Sequence, residues 1–151
     1  MPNFADIATK KVAEIERPPL PPVGTYRWSI TKLPVATTSN DGKWDILTVP
    51  VRALEALDDV EMDGYSGEVT NITNQLKFMF NKEDEVEFEK SEYRMRTFFE
   101  KHVKCAEDGD SVGQMLNNSV NQQFLGGIVW QQDKQDPELF YANVGRTAPI
   151  E

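Results

Sequence analysis

The sequence predicts an α+β fold: a small antiparallel barrel or curled sheet, one or two helices, and an N-terminal helical arm. Three observations carry this. Apolar and polar residues alternate strictly over residues 26–31 and again over 47–52. Between them stands an Asp41-Gly42 pair, a turn signal that favours a hairpin. Further on, Met95, Phe98, Phe99, His102 and Val103 recur at helical spacing.

The arm comes first. Phe4, Ile7, Ala8, Val12 and Ile15 fall on one stripe of a helix over residues 4–17, with Lys10, Lys11 and Glu14 elsewhere. Prolines at 18, 19, 21 and 22 stop it and make an extended, stiff spacer. The expected organisation is an amphipathic helix at 1–17, a proline-rich linker at 18–22 and one domain at 23–151. The stripe of Phe4, Ile7, Val12 and Ile15 is a candidate partner-binding surface.

The body opens with a strand in which Tyr26, Trp28 and Ile30 share one face and Arg27, Ser29 and Thr31 the other. After the 39–42 turn, residues 43–54 read as a second strand. Leu47, Val49 and Val51 face one way; Trp44, Ile46, Thr48 and Arg52 face the other. Pro50 has no amide donor, which predicts an edge strand or a bulge there. Residues 58–67 read as an acidic loop, and 67–73 and 75–80 as strands. Residues 81–90 read as a charged connection to a helix over 91–105. Ser111 and Gln114 fit a capping box for a second helix with Val112, Met115 and Leu116 inward. Gly126-Gly127 is expected to end the helical region. Strands at 128–132 and 139–144 close the domain around a turn at 133–137.

Composition narrows the function classes. The chain has 151 residues, one domain's worth, and 39% hydrophobic residues, enough for a core. One cysteine excludes an internal disulfide, and one histidine excludes a multi-histidine metal centre. No apolar run is long enough for a membrane helix, and the N-terminal residues carry no basic-then-apolar signal. No cofactor, metal or membrane is therefore expected, and a cytoplasmic setting is. The formal charge of −9 is concentrated: 12 acidic and 3 basic residues lie between Glu55 and Glu92, and the remainder balances. Residues 93–105 carry Arg94, Arg96, Lys101 and Lys104 against Glu100 alone, so a local basic surface is compatible with an acidic protein.

Several motifs fall short of the chemistry they resemble. Residues 59–64 begin like a calcium loop, but Thr70 stands where the bidentate glutamate belongs, so an acidic turn is the better reading. His102 and Cys105 could meet on one helix, yet no orienting carboxylate or oxyanion motif accompanies them; core packing or a helix-end cation fits better. No Gly-rich phosphate loop appears. The remaining signal is cations beside flat rings: Arg27 between Tyr26 and Trp28, Lys43 next to Trp44, with Arg52 and Lys77 outward on their strands. Such a face can stack bases and neutralise phosphates without reading sequence; the alternative is that Trp44 covers a barrel end and the cations are solvated.

The segment Leu20-Pro21-Pro22-Val23-Gly24-Thr25-Tyr26 resembles the Pro-x-Gly-x-Tyr opening of an uncharacterised bacteriophage family. The Gly42-Lys43 turn with its long strand resembles that family's second element. Phe124-Leu125-Gly126-Gly127-Ile128-Val129, Asp133 and the run from Glu138 to Asn143-Val144 resemble its closing motifs. The resemblance spans residues 20–149 discontinuously. It implies a fold like the oligonucleotide-binding barrel and a link to phage DNA replication and recombination. The acidic insert at 55–92 and the N-terminal helix depart from the family. The C-terminal residues 147–151 differ from the acidic tail of single-strand-binding proteins.

Together these readings predict a non-enzymatic phage accessory protein that binds single-stranded DNA through Arg27, Lys43, Trp44, Arg52 and Lys77, in the host cytoplasm. Phage replication or virion proteins are candidate partners, and a homo-oligomer is a candidate state. The alternative is a virion structural protein, a capsid decoration or connector, that docks through its N-terminal arm.

Overall fold

The computed structural model describes residues 3–15 and 19–150. Tyr26, Trp28 and Ile30, the inward row of strand β1 (Gly24–Ile30), are fully buried. They meet the inward row of β3 (Trp44–Ala56), where Leu47, Val49, Val51 and Ala53 are buried too. Alternation thus becomes one side of a core, since a strand shows every second residue to the same face. A short strand β2 (Val35–Thr38) precedes β3 and pairs with its first half; β1 pairs with the second half. The other edge of β3 carries β4 (Thr73–Asn81). β5 (Gln123–Gln132) pairs with β1, and β6 (Phe140–Ala148) with β5.

All pairings are antiparallel, and the long strands run in the order β4-β3-β1-β5-β6. The first long strand therefore pairs with both the second and the fourth, with helices inserted between the third and the fourth. That is the arrangement of an oligonucleotide-binding barrel, partly open between β4 and β6. The helices are α2 (Glu85–Thr97), continued by a π-helical turn over Phe98–Val103, and α3 (Val112–Asn118). The wider turn aims both Phe98 and Phe99 inward. Phe98 stacks edge-on against Phe99 at 4.9 Å and Phe124 at 5.0 Å. Lys104, in the left-handed region with φ 62°, ends the turn.

Two glycines are required by close approach. Gly24 has φ +140°, and a Cβ there would lie 2.6 Å from Val60 Cγ2. At Gly126 a Cβ would lie 2.8 Å from Val144 Cγ1 and 3.1 Å from the Trp28 indole nitrogen, which donates to the Gly126 carbonyl at 3.0 Å. Two of the linker prolines are also held: the Tyr26 hydroxyl donates to the Pro22 carbonyl and the Trp130 indole to the Pro21 carbonyl, each at 2.7 Å.

The structure corrects several expectations. The arm is not one helix: α1 covers only Phe4–Ala8, capped by Asn3, and a 3₁₀ turn follows at Val12–Glu14. The last two residues of the expected 4–17 helix, and Pro18, lie outside the described residues. Pro50 sits in a central strand, not at an edge. It falls where β3 passes from β2 to β1, so its missing donor breaks no ladder, and its carbonyl accepts from Thr31 N at 3.0 Å. The bulge lies elsewhere, opposite Arg27/Trp28. Residues 67–73 hold a 3₁₀ turn at Val69–Asn71 rather than a strand. The long helix starts at Glu85, because Asp84 caps it by accepting from Glu87 N at 3.2 Å; the charged run is its first turns. Val112 is exposed at 53% rather than inward. Gly126-Gly127 lies inside β5 and terminates no helix; close packing on Trp28 demands a glycine at 126.

Candidate nucleic-acid interface

Register defines the outer face of β3 and β4. Trp44 pairs with Asn81, Ile46 with Met79, Thr48 with Lys77, Pro50 with Gln75 and Arg52 with Thr73. Each of these pairs alternates with an inward pair such as Leu47–Phe78 or Val49–Leu76. The face divides lengthwise. Near Trp44 it is apolar: Ile46 is half-buried, Met79 is 45% exposed, and Val35 of β2 lies across from Thr48. Towards Arg52 it is cationic and polar. At about 3.3 Å per residue, Lys77 lies roughly 13 Å along the strands from both Trp44 and Arg52. A row of about 26 Å is within the length that one barrel of this type offers to several nucleotides.

The five expected contact residues do not behave alike. Arg52 and Lys77 are exposed and in no ion pair among the described residues. Trp44 is half-buried on the same face. Arg27 is on the outer side of β1, but its guanidinium is bonded to Glu55 at 2.9 Å, and its Nε is buried without a partner. The bulge explains this. Leu54 is the extra residue of β3, and skipping it places Glu55 opposite Arg27. Lys43 lies in the turn before β3 rather than in the row, and its carbonyl accepts from Lys82 N at 2.8 Å.

A groove that the sequence reading did not foresee flanks this face. The free edges of β4 and β6 oppose each other beneath α2 and the π turn, enclosing about 990 Å³. Lys77 from β4, Arg94 and His102 from the helix and Arg146 from β6 line it, with Tyr93 and Phe98 as flat walls. Among the described residues no aspartate or glutamate lines it. The basic run at 93–105 was the available signal for Arg94; nothing in the sequence marks Arg146.

The motifs set aside are structurally occupied. Asp59 accepts from Thr25 N at 3.0 Å and Thr25 Oγ1 at 2.9 Å, and these bonds hold its carboxyl below the ordinary range. Cys105 is buried, which pushes its thiol up, and it points at the Phe99 and Met115 carbonyls. His102 Nδ1 bonds Thr147 Oγ1 at 2.6 Å instead. Among the described residues no group of three or more His, Cys, Asp or Glu could hold a metal ion. No helix among them is long and apolar enough to cross a membrane. The stripe of the arm is exposed: Phe4 at 77%, Ile7 at 47%, Val12 at 87% and Ile15 at 56%.

No family model matches the chain, and no curated protein matches it.

Proposed function

We propose that the chain binds single-stranded DNA without catalysis, as an accessory protein of phage DNA replication or recombination acting in the host cytoplasm. The observation that carries this reading is the outer face of β3 and β4: a barrel of oligonucleotide-binding order presents Trp44 at one end and the unpaired cations Lys77 and Arg52 towards the other. Fold alone does not assign function; the side chains of this face carry the reading. The ring offers a base a stacking surface, the cations neutralise phosphates, and neither reads sequence. The acidic residues of 55–92 keep the strand from lying elsewhere and offer a surface to replication proteins. The test is fluorescence anisotropy of a labelled oligonucleotide at low salt. Single strands should bind and duplex should compete poorly, because only unpaired bases expose faces to Trp44. No binding at high micromolar protein, with the fold intact, overturns the reading.

The exposed stripe of the arm favours a second reading, a virion component that docks Phe4, Ile7, Val12 and Ile15 on a neighbouring subunit. Mass measurement of the chain alone and with capsid or tail proteins separates the two.

A further inference from the structure

The groove between β4 and β6 differs chemically from the rest of the molecule. The protein has 25 aspartates and glutamates, yet none among the described residues lines this cleft, while Lys77, Arg94, Arg146 and His102 do. Lys77, Arg94 and Arg146 take part in no ion pair among the described residues, whereas Arg27, Arg96, Lys82, Lys90 and Lys101 all do. Cations left unpaired around one cleft of an acidic protein focus a positive potential there.

Arg94 is also positioned. Its Nη2 donates to Ser91 Oγ at 2.8 Å, and Ser91, itself buried, donates to the Met79 carbonyl of β4 at 2.7 Å. The guanidinium is thereby tied to the strand that carries Lys77, and its remaining donors stay available. Tyr93, next in sequence, is 70% exposed and lines the same groove. On the opposite wall the His102–Thr147 bond ties the π turn to β6 beside Arg146.

Lys77 connects the two surfaces. It stands in the outer row of β4 opposite Thr48 and also lines the groove. We infer that a single DNA strand lying on the β3–β4 face crosses β4 at Lys77 and runs into the β4–β6 groove, where Arg94 and Arg146 hold its phosphates and Tyr93 stacks a base. This deepens, and rests on, the single-strand-binding reading. An acidic peptide shares the charge, but inserting a strand between β4 and β6 needs two sheet spacings, about 9–10 Å. At one end the two strands are already bridged, with Asn74 Nδ2 2.9 Å from the Ala142 carbonyl. A phosphate backbone needs only cations at the mouth.

The test compares the full chain with Arg94→Gln, Arg146→Gln and the double variant, using a labelled oligothymidylate across a salt series. Arg96→Gln is the control, because Arg96 is paired with Glu100 at 2.8 Å and does not line this groove. Each groove variant should weaken binding several-fold and lower the slope of log affinity against log salt by about 0.7 per cation removed. The control should change neither. Should Arg94→Gln disturb folding through its Ser91 link, Arg94→Lys must restore binding, and Arg146→Glu, at an exposed position, must still weaken it at least tenfold. If the parent chain binds and the groove variants bind equally well, the path through the groove is wrong and the single-strand reading stands. If the parent chain does not bind the oligonucleotide, both fall together.

Discussion

The amide of Asn74 donates to the carbonyl of Ala142 at 2.9 Å, joining β4 to β6 where the barrel has no backbone ladder. Asn74 occupies an inward position opposite Val51, so this bond is partly shielded from water. It closes one end of the opening and leaves the other end as the cationic groove. Asn74→Ala should cost about 0.5–1.5 kcal/mol in urea unfolding, the usual net worth of one such bond. Hydrogen exchange should quicken for β6 amides near residue 142 before those of β1. Unchanged stability and exchange would show that the opening is closed by other contacts.

Packing at Gly126 leaves no room for a methyl group. Gly126→Ala should destabilise by about 1–3 kcal/mol, because the new Cβ meets both Val144 and the Trp28 ring that bonds this carbonyl. Gly127→Ala is the comparison: the nearest atom to its Cβ, apart from chain neighbours, is 3.8 Å away, and its cost should be smaller. Equal effects in thermal melts would contradict the close-packing account.

Alkaline stability tests the Tyr26–Pro22 clasp. Burial pushes the Tyr26 phenol up to about 12, with smaller contributions from Tyr65 and Asp59. In the unfolded chain the phenol ionises near its ordinary value of about 10. The folded state holds the proton more tightly, so the stability it confers is complete below about pH 10 and is lost as pH rises towards 12. Tyr26→Phe should lower stability at neutral pH and flatten the fall between pH 10 and 12. Parallel stability curves for the two proteins would contradict this.

The arm should be dispensable for the body. Its exposed apolar residues contribute nothing to the core formed by β1, β3, β5 and the helices. Deleting residues 1–17 should leave the melting temperature within about 2 °C, since a change of 1 kcal/mol moves a domain of this size by a few degrees. A larger drop would place the arm in the folding unit.

Much of this fold was legible because its strands are half-buried. Tyr26, Trp28, Ile30 and Leu47, Val49, Val51 alternate as a pleated strand must, and the inward rows follow. β2 was invisible: its four residues are all exposed, so no periodicity marks it. The Gly126-Gly127 pair reads as a stop because the reason for Gly126, the Trp28 ring, lies 98 residues away in sequence. The binding face shows the same division. Alternation placed Trp44, Arg52 and Lys77 on one side, but a one-residue bulge at Leu54 pairs Arg27 with Glu55, and local pattern does not encode that register shift. Arg94 and Arg146 come to line one groove only because the helix and β6 fold beside the edge of β4, which is tertiary information.

Trp44 and Arg52 test different parts of the same face. Trp44→Ala should weaken single-strand binding by about 1–3 kcal/mol if one base stacks there. Arg52→Ala should weaken all sequences alike and flatten the salt dependence. Trp44→Ala should leave the salt slope unchanged. Anisotropy titrations at three salt concentrations separate the two. A slope that changes with Trp44 and not with Arg52 would reverse the assigned roles.

The most direct measurement of the central claim is an amide chemical-shift map of the full chain titrated with a short oligothymidylate at low salt. The account predicts shifts concentrated on Trp44, Thr48, Arg52, Gln75, Lys77 and Met79, continuing to Arg94 and Arg146. The acidic loop around Asp59 and Glu61 should stay silent. No shifts at saturating oligonucleotide, or shifts confined to the arm and the acidic loop, would contradict it.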